Sequence, residues 1–166
     1  AETIVSVDVG AHKMLTSQAW RSTLPGSFLV SNGMSSMGYG VPAALAASLM
    51  RPDRPVIGII GDGGFGMMVQ ELETAVRMAV KPLLIVFCDR SLAVIKVAQR
   101  NRNLPHRGVN FLHVNWAEVA SGFGVRGVNV STLEEISKTV GDWVKKQQLT
   151  VVAVPIDETL YGGLTY

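Results

Sequence analysis

The sequence predicts an α/β fold: a doubly wound, mostly parallel six-stranded sheet with helices on both faces. Short β-rich runs alternate with helix-length segments along the whole chain, the order that repeated strand–helix crossovers produce. Several runs, "PVIGII" and "LLIVFC" among them, are apolar on consecutive residues, as in strands covered on both sides. With 48% hydrophobic residues, the 166-residue chain has enough apolar material for one well-packed domain.

Taken in order, strands are expected at residues 3–8, 27–31, 55–60, 83–88, 124–130 and 149–155. Helical spacing falls at 11–20, 37–50, 64–79, 115–123 and 131–147. Ser131 or Thr132 with Glu134 or Glu135 supplies a capping box for the last of these. Residues 100–110, with Asn, Pro, His and Gly, read as the long loop. The domain is assigned to residues 1–155, and "IDETLYGGLTY" (156–166) to a tail that either covers a site or lies disordered.

Composition removes some classes of function. Only 17% of residues are charged, against about 25% in an average domain, which suggests a surface hidden against a partner. A net charge of +2, with no basic run interleaved with aromatics, argues against nucleic acid. Arg100, Arg102, His106 and Arg107 then read as a solvated loop. The single cysteine, Cys88, excludes an internal disulfide, suits a reducing cytoplasm, and reads as a core thiol because it ends an apolar run. No stretch approaches the roughly 20 apolar residues that span a bilayer, so a soluble protein without membrane contact is expected. A strand-like run almost at Ala1 hints at a piece of something longer.

In doubly wound sheets ligands sit at the carboxyl ends of strands, so the turn "GDGGFG" draws attention. Gly61, Gly63 and Gly66 satisfy the glycine spacing of a dinucleotide-binding turn. However, they follow the third strand rather than the first, and Asp62 lies where a pyrophosphate would go. A bare carboxylate 5 Å from such a charge costs about 3 kcal/mol at an effective dielectric of 20. A divalent cation removes that cost. Asp62 and Asp89, at the ends of successive strands, offer it hard oxygen ligands, while glycine N–H groups and the helix that follows face the phosphate. Taken singly, Asp62 also fits a helix N-cap and Asp89 a turn residue.

"GDGGFGMMVQELETAV" followed by "VFCDRSLAVIKVAQ" resembles the thiamin-diphosphate motif of the acetohydroxyacid synthase, pyruvate oxidase and 2-oxo acid decarboxylase superfamily. "SVDVGAHKM" and "SNGMSSMGYGVPAALAASLMRPDRPV" are similar, in the same order, to the C-terminal cofactor-binding domain of those enzymes. The resemblance implies thiamin diphosphate and Mg2+ as cofactors, with the metal held by the Asp62 and Asp89 side chains and the Ser91 carbonyl. Gly10, His12, Gly63 and Gly64 would face the diphosphate, with Gly61, Leu92 and Val94 beside the cofactor. Met37 would wedge between the two cofactor rings and the Ser35 carbonyl would hold the aminopyrimidine, which makes these two the residues nearest the chemistry. The implied activity is decarboxylation of a 2-oxo acid, or its condensation with a second carbonyl, in a cytoplasmic dimeric or tetrameric homo- or hetero-oligomer.

The chain departs from that pattern in several places. Cys88-Asp89 replaces the usual Asn-Asn pair, and Gly64 replaces a common Ser. Ala98 stands where synthases carry a pocket-shaping Trp, while Val94 and Ile95 would form an apolar wall. The glutamate that activates the pyrimidine in the family belongs to an N-terminal pyrimidine-binding domain and has no counterpart motif here. Glu71 and Glu73 read as helix-surface residues. The chain is therefore expected to carry half of an active site, as a fragment or as one subunit of a split enzyme of the sulfopyruvate decarboxylase kind. A nucleotide-binding (NAD(P) or FAD) oxidoreductase domain and a non-catalytic interaction module of the same fold are the alternatives.

Overall fold

The computed structural model describes residues 2–163. Six strands, β1 (Ile4–Val7), β2 (Phe28–Val30), β3 (Val56–Gly61), β4 (Leu83–Cys88), β5 (Arg126–Asn129) and β6 (Thr150–Pro155), form one sheet in the order β2-β1-β3-β4-β6-β5. All neighbouring pairs are parallel. The connecting helices are α1 (Ala11–Ala19), α2 (Gly40–Met50), α3 (Asp62–Met68), α4 (Glu71–Arg77), α5 (Ala93–Asn101), α6 (Trp116–Gly122) and α7 (Leu133–Lys146). Because β2 and β3 flank β1 on opposite sides, the winding reverses between β1 and β3. The crevice that this reversal opens at the strands' carboxyl ends is where such sheets take their ligands.

The two faces of the sheet bury separate clusters. Ile4, Ile60, Leu84, Val86 and Val151 pack with Val41 and Leu45 of α2, Leu72 of α4 and Ala120 of α6. On the other face Leu83, Val152 and Val154 meet Trp143 of α7, whose indole N–H donates to the Lys81 carbonyl at 3.0 Å. Burial of Thr150 through Val154 on consecutive residues accounts for the unbroken apolar run of β6. Pro42 is accommodated in α2 because it lies in the first turn, where its missing N–H breaks no helical bond. The capping box of α7 is formed by Thr132 and Glu135, with acids in its first turn and Lys145 and Lys146 in its last.

Some boundaries differ from expectation. The helix expected over 64–79 is two helices, joined by Val69 and Gln70 in helical conformation but bonded three residues apart, Leu72 N–H to Val69 O and Glu73 N–H to Gln70 O. Helix α5, which carries Ala98, falls outside the segments whose spacing predicts a helix; it buries Ala93 and Val97, one turn apart. The long loop consequently starts after Asn101. It is fastened back on the turn after β4 by Leu92 N–H to Val109 O at 2.8 Å and Phe111 N–H to Arg90 O at 2.7 Å.

The tail is ordered as far as it is described. Glu158–Gly163 forms a 3₁₀ turn whose Tyr161 is buried against Ala11 and Ala93, and Glu158 pairs with Lys96 at 2.6 Å. Residues 164–166 of the expected tail lie outside the described residues. Among the described residues, no helix is long and apolar enough to cross a membrane.

Candidate functional site

A cavity of about 220 Å³ opens at the β1/β3 reversal. The turn after β1 contributes Gly10 and His12, the loop before α2 contributes Ser35 and Met37, and the turn after β3 contributes Gly61, Asp62, Gly63 and Gly64. The turn after β4 and the start of α5 supply Asp89, Ser91, Leu92, Val94 and Ile95. Every cofactor or metal residue named from the sequence therefore lies on one wall, although the motifs are up to about 80 residues apart. Ala98 lines none of it.

Asp62 is 5% exposed. Its Oδ1 accepts the Gly63 N–H and its Oδ2 the Arg90 N–H, both at 2.8 Å, so it ties the end of β3 to the end of β4. Burial, with added repulsion from Asp89, pushes its carboxyl up to about 6 against these hydrogen bonds. Asp62 is not the cap of α3; Gly61 holds that position and Asp62 is the first helical residue. Asp89 closes an Asx turn, accepting the Ser91 N–H at 2.9 Å and the Ser91 hydroxyl at 3.3 Å. Its carboxyl is also raised by burial, while hydrogen bonds from Ser91 and Tyr161 oppose the rise. The half-buried Cys88 thiol, which donates to the Val86 carbonyl at 3.4 Å, is pushed up to about 12 by burial and by Asp62 and Asp89. That keeps it protonated, and it packs at the margin of the core rather than within it.

His12 is 3% exposed, and burial pushes its imidazole down to about 4, offset only partly by a hydrogen bond with the Asp8 backbone. It is neutral at pH 7. Gly10 makes room for it: φ of 152° belongs to glycine, and a Cβ there would stand 2.6 Å from the His12 ring. Ser35 also has positive φ, 48°, without being glycine, the kind of backbone strain that collects at ligand sites. Met37 is half-buried beside it.

Asp8 was not singled out in the sequence, yet it is fully buried at the end of β1. An acid ending the apolar strand-like run "TIVSVD" is the signal that the sequence carries.

Among the described residues lining the cavity there is no Lys or Arg. An anion entering beside two acids must therefore bring its own cation. Among the described residues, no group of three or more His, Cys, Asp or Glu side chains could hold a metal, so Asp62 and Asp89 need ligand or backbone oxygens to complete a shell of the size that Mg2+ takes. His12 Nε2 is buried without a hydrogen-bond partner among the described residues, an orphan that a bound group in this cavity could satisfy. Two acids, an unpartnered ring nitrogen and a glycine cradle fit a metal-bound diphosphate.

The fold and site define a doubly wound α/β domain with an acid-lined cavity at its winding reversal. Residues 8–154 match the family described as thiamine pyrophosphate enzyme, C-terminal TPP binding domain, and the chain belongs to that family. It is similar to a putative thiamine pyrophosphate-containing protein of Bacillus subtilis, with 30% identity over 99% of this chain and 29% of the relative. The acetolactate synthase isozyme 2 large subunit of Escherichia coli is 33% identical over 95% of this chain and 29% of its own length. The chain thus spans less than a third of these relatives. The fold of benzoylformate decarboxylase from Polynucleobacter necessarius superposes with a TM-score of 0.87 at 22% identity, covering 95% of this chain and 30% of that one. Membership sets aside the dinucleotide reading of the glycine turn.

Proposed function

We propose that the chain binds thiamin diphosphate through Mg2+ and forms the cofactor half of a 2-oxo acid decarboxylase or carboligase. The observation that carries this is the convergence of Asp62 and Asp89, from the ends of neighbouring strands, on one cavity that Met37 also lines and that holds no basic side chain among its described residues. Bound there, thiamin diphosphate supplies the electron sink that decarboxylation of a 2-oxo acid requires. The chain's residues bind and orient it. Asp62 and Asp89, with the Ser91 carbonyl, hold the metal; Gly63, Gly64, Gly10 and neutral His12 face the diphosphate; Met37 and Ser35 set the pyrimidine. Leu92, Val94 and Ile95 make an apolar wall that keeps water from the reacting centre.

Nothing in the chain matches the pyrimidine-activating glutamate, which we assign to a pyrimidine-binding domain of the same polypeptide or of a partner subunit in a cytoplasmic dimer or tetramer. The relatives' greater length supports this division.

Titration calorimetry with thiamin diphosphate, with and without Mg2+, tests the reading. Binding is expected only with the metal and is expected to vanish in Asp62→Ala. Metal-independent binding, or unchanged affinity in the variant, removes the metal assignment. No binding by the wild type under either condition favours a non-catalytic module of this fold.

A further inference from the structure

The loop carrying Ser35 and Met37 is poorly anchored by its own residues. Asn32 through Ser36 are exposed. Among the described residues, the loop's start is tied to α1 by Lys13 Nζ donating to the Ser31 carbonyl at 3.0 Å, and residues 32–38 make two hydrogen bonds: Ser36 N–H to the Ser31 hydroxyl within the loop, and Gly38 N–H to Asp8 Oδ2 at 3.0 Å. Only the second reaches the sheet. Asp8 Oδ1 meanwhile accepts the Val9 N–H at 2.7 Å; burial raises the Asp8 carboxyl, and the backbone N–H groups of Val9, Gly38, Gly40 and Tyr39 oppose that rise. Ser6, on the same side of β1, adds a bond from its buried hydroxyl to the Gly40 carbonyl. The turn after β3 leaves space for this arrangement: a Cβ at Gly64 would overlap Asp8 Oδ2, and one at Gly40 would stand 2.8 Å from the Asp8 Cβ. Three chain segments thus meet at one buried carboxylate that does not itself line the cavity.

We propose that Asp8 is a positioning residue: its carboxylate clasps the Ser31–Gly40 loop to the end of β1 and so fixes where Met37 and Ser35 stand over the half of the cavity formed by Asp62 and Asp89. The proposal rests on reading the cavity as a thiamin diphosphate site. It separates two functions of the wall. The acids and glycines of the β3 and β4 turns hold metal and diphosphate, whereas the clasped loop holds the rings.

Asp8→Asn preserves shape but leaves one acceptor oxygen for the Val9 and Gly38 N–H groups and removes the charge that the loop N–H groups face, so the clasp is weakened and a donor is left unpaired. Calorimetry on the protein compares magnesium thiamin diphosphate with magnesium pyrophosphate, which has the anion and lacks the rings. The variant is expected to lose tenfold or more in thiamin diphosphate affinity, about 1.4 kcal/mol, and to keep its pyrophosphate affinity within twofold. Equal affinity for thiamin diphosphate, or parallel losses for both ligands, overturns the positioning role. Amide hydrogen exchange on the wild type reads the clasp without any ligand. Gly38 is expected to exchange at least 100-fold more slowly than Asn32 through Ser36, and an equal rate overturns the clasp even if Asp8→Asn fails to fold. Should the wild type bind neither ligand, the cofactor reading fails and the role toward the rings fails with it, while Gly38 exchange still decides whether Asp8 holds the loop.

Discussion

Replacing Asp62 by Asn should stabilise the metal-free protein at neutral pH while destroying its metal site. The folded-state carboxyl stands at about 6 against a model value of 3.8. That difference makes the ionised form about 3 kcal/mol costlier in the folded than in the unfolded chain. The side chain is 5% exposed, so solvent does little to relieve it. An acid whose folded value is raised binds its proton more tightly when folded. Its penalty is therefore absent below about pH 4, grows as pH rises through about 6, and is complete at pH 7.5. Asn removes the charge but keeps only one acceptor for the Gly63 and Arg90 N–H groups, which returns about 1 kcal/mol. A net gain of about 2 kcal/mol should appear at pH 7.5 as a rise of about 4–8 °C in Tm and should turn into a deficit of about 1 kcal/mol at pH 4, where only the lost hydrogen bond remains. Thermal unfolding followed by circular dichroism, without Mg2+ and with Mg2+ plus thiamin diphosphate, measures both halves. A variant less stable than wild type by 1 kcal/mol or more at pH 7.5, or an advantage independent of pH, would refute the reasoning.

The opposite sign applies to His12, whose folded value is depressed to about 4 from 6.5: its stabilisation is present above about pH 6.5 and is lost as pH falls toward 4. His12→Gln should flatten that loss, about 3 kcal/mol between the two limits, in denaturant titrations at pH 7 and 4; an unchanged pH slope would count against a buried neutral ring. Gly64→Ala should lower thiamin diphosphate affinity by pressing on the Asp8 carboxylate, and calorimetry showing full affinity would mean that the clasp yields at no cost. Thr132→Ala removes the cap of α7 and should cost about 1 kcal/mol, read by tryptophan fluorescence in urea, with ligand affinity unchanged because α7 contributes nothing to the cavity wall.

Much of the architecture was legible because β4 and β6 advertise themselves. Strands buried on both faces leave unbroken apolar runs, and β4 matches its expected limits. Strand order was not legible: β6 enters between β4 and β5, pairing Leu83 with Thr150, and no local pattern encodes a contact across that separation. The break between α3 and α4 was hidden because Val69 and Gln70 keep helical dihedrals and only the bonding changes. Helix α5 is not legible from spacing because its two buried positions, Ala93 and Val97, give only a thin apolar stripe; the family resemblance alone implies it. At the site, Asp62 and Asp89 could be argued from charge and strand ends. Ser35 and Met37 carry no local mark and came from the family resemblance alone. Asp8 escaped because its partner is a backbone N–H thirty residues away, which side-chain chemistry does not reveal.

Crystals grown with thiamin diphosphate and Mn2+ in place of Mg2+ give the most direct test of the metal-anchored site. An anomalous peak is expected within metal–oxygen bonding distance of carboxylate oxygens of both Asp62 and Asp89 and of diphosphate oxygens. Manganese bound elsewhere, or a diphosphate seated in this cavity without metal between it and the two acids, would contradict the account.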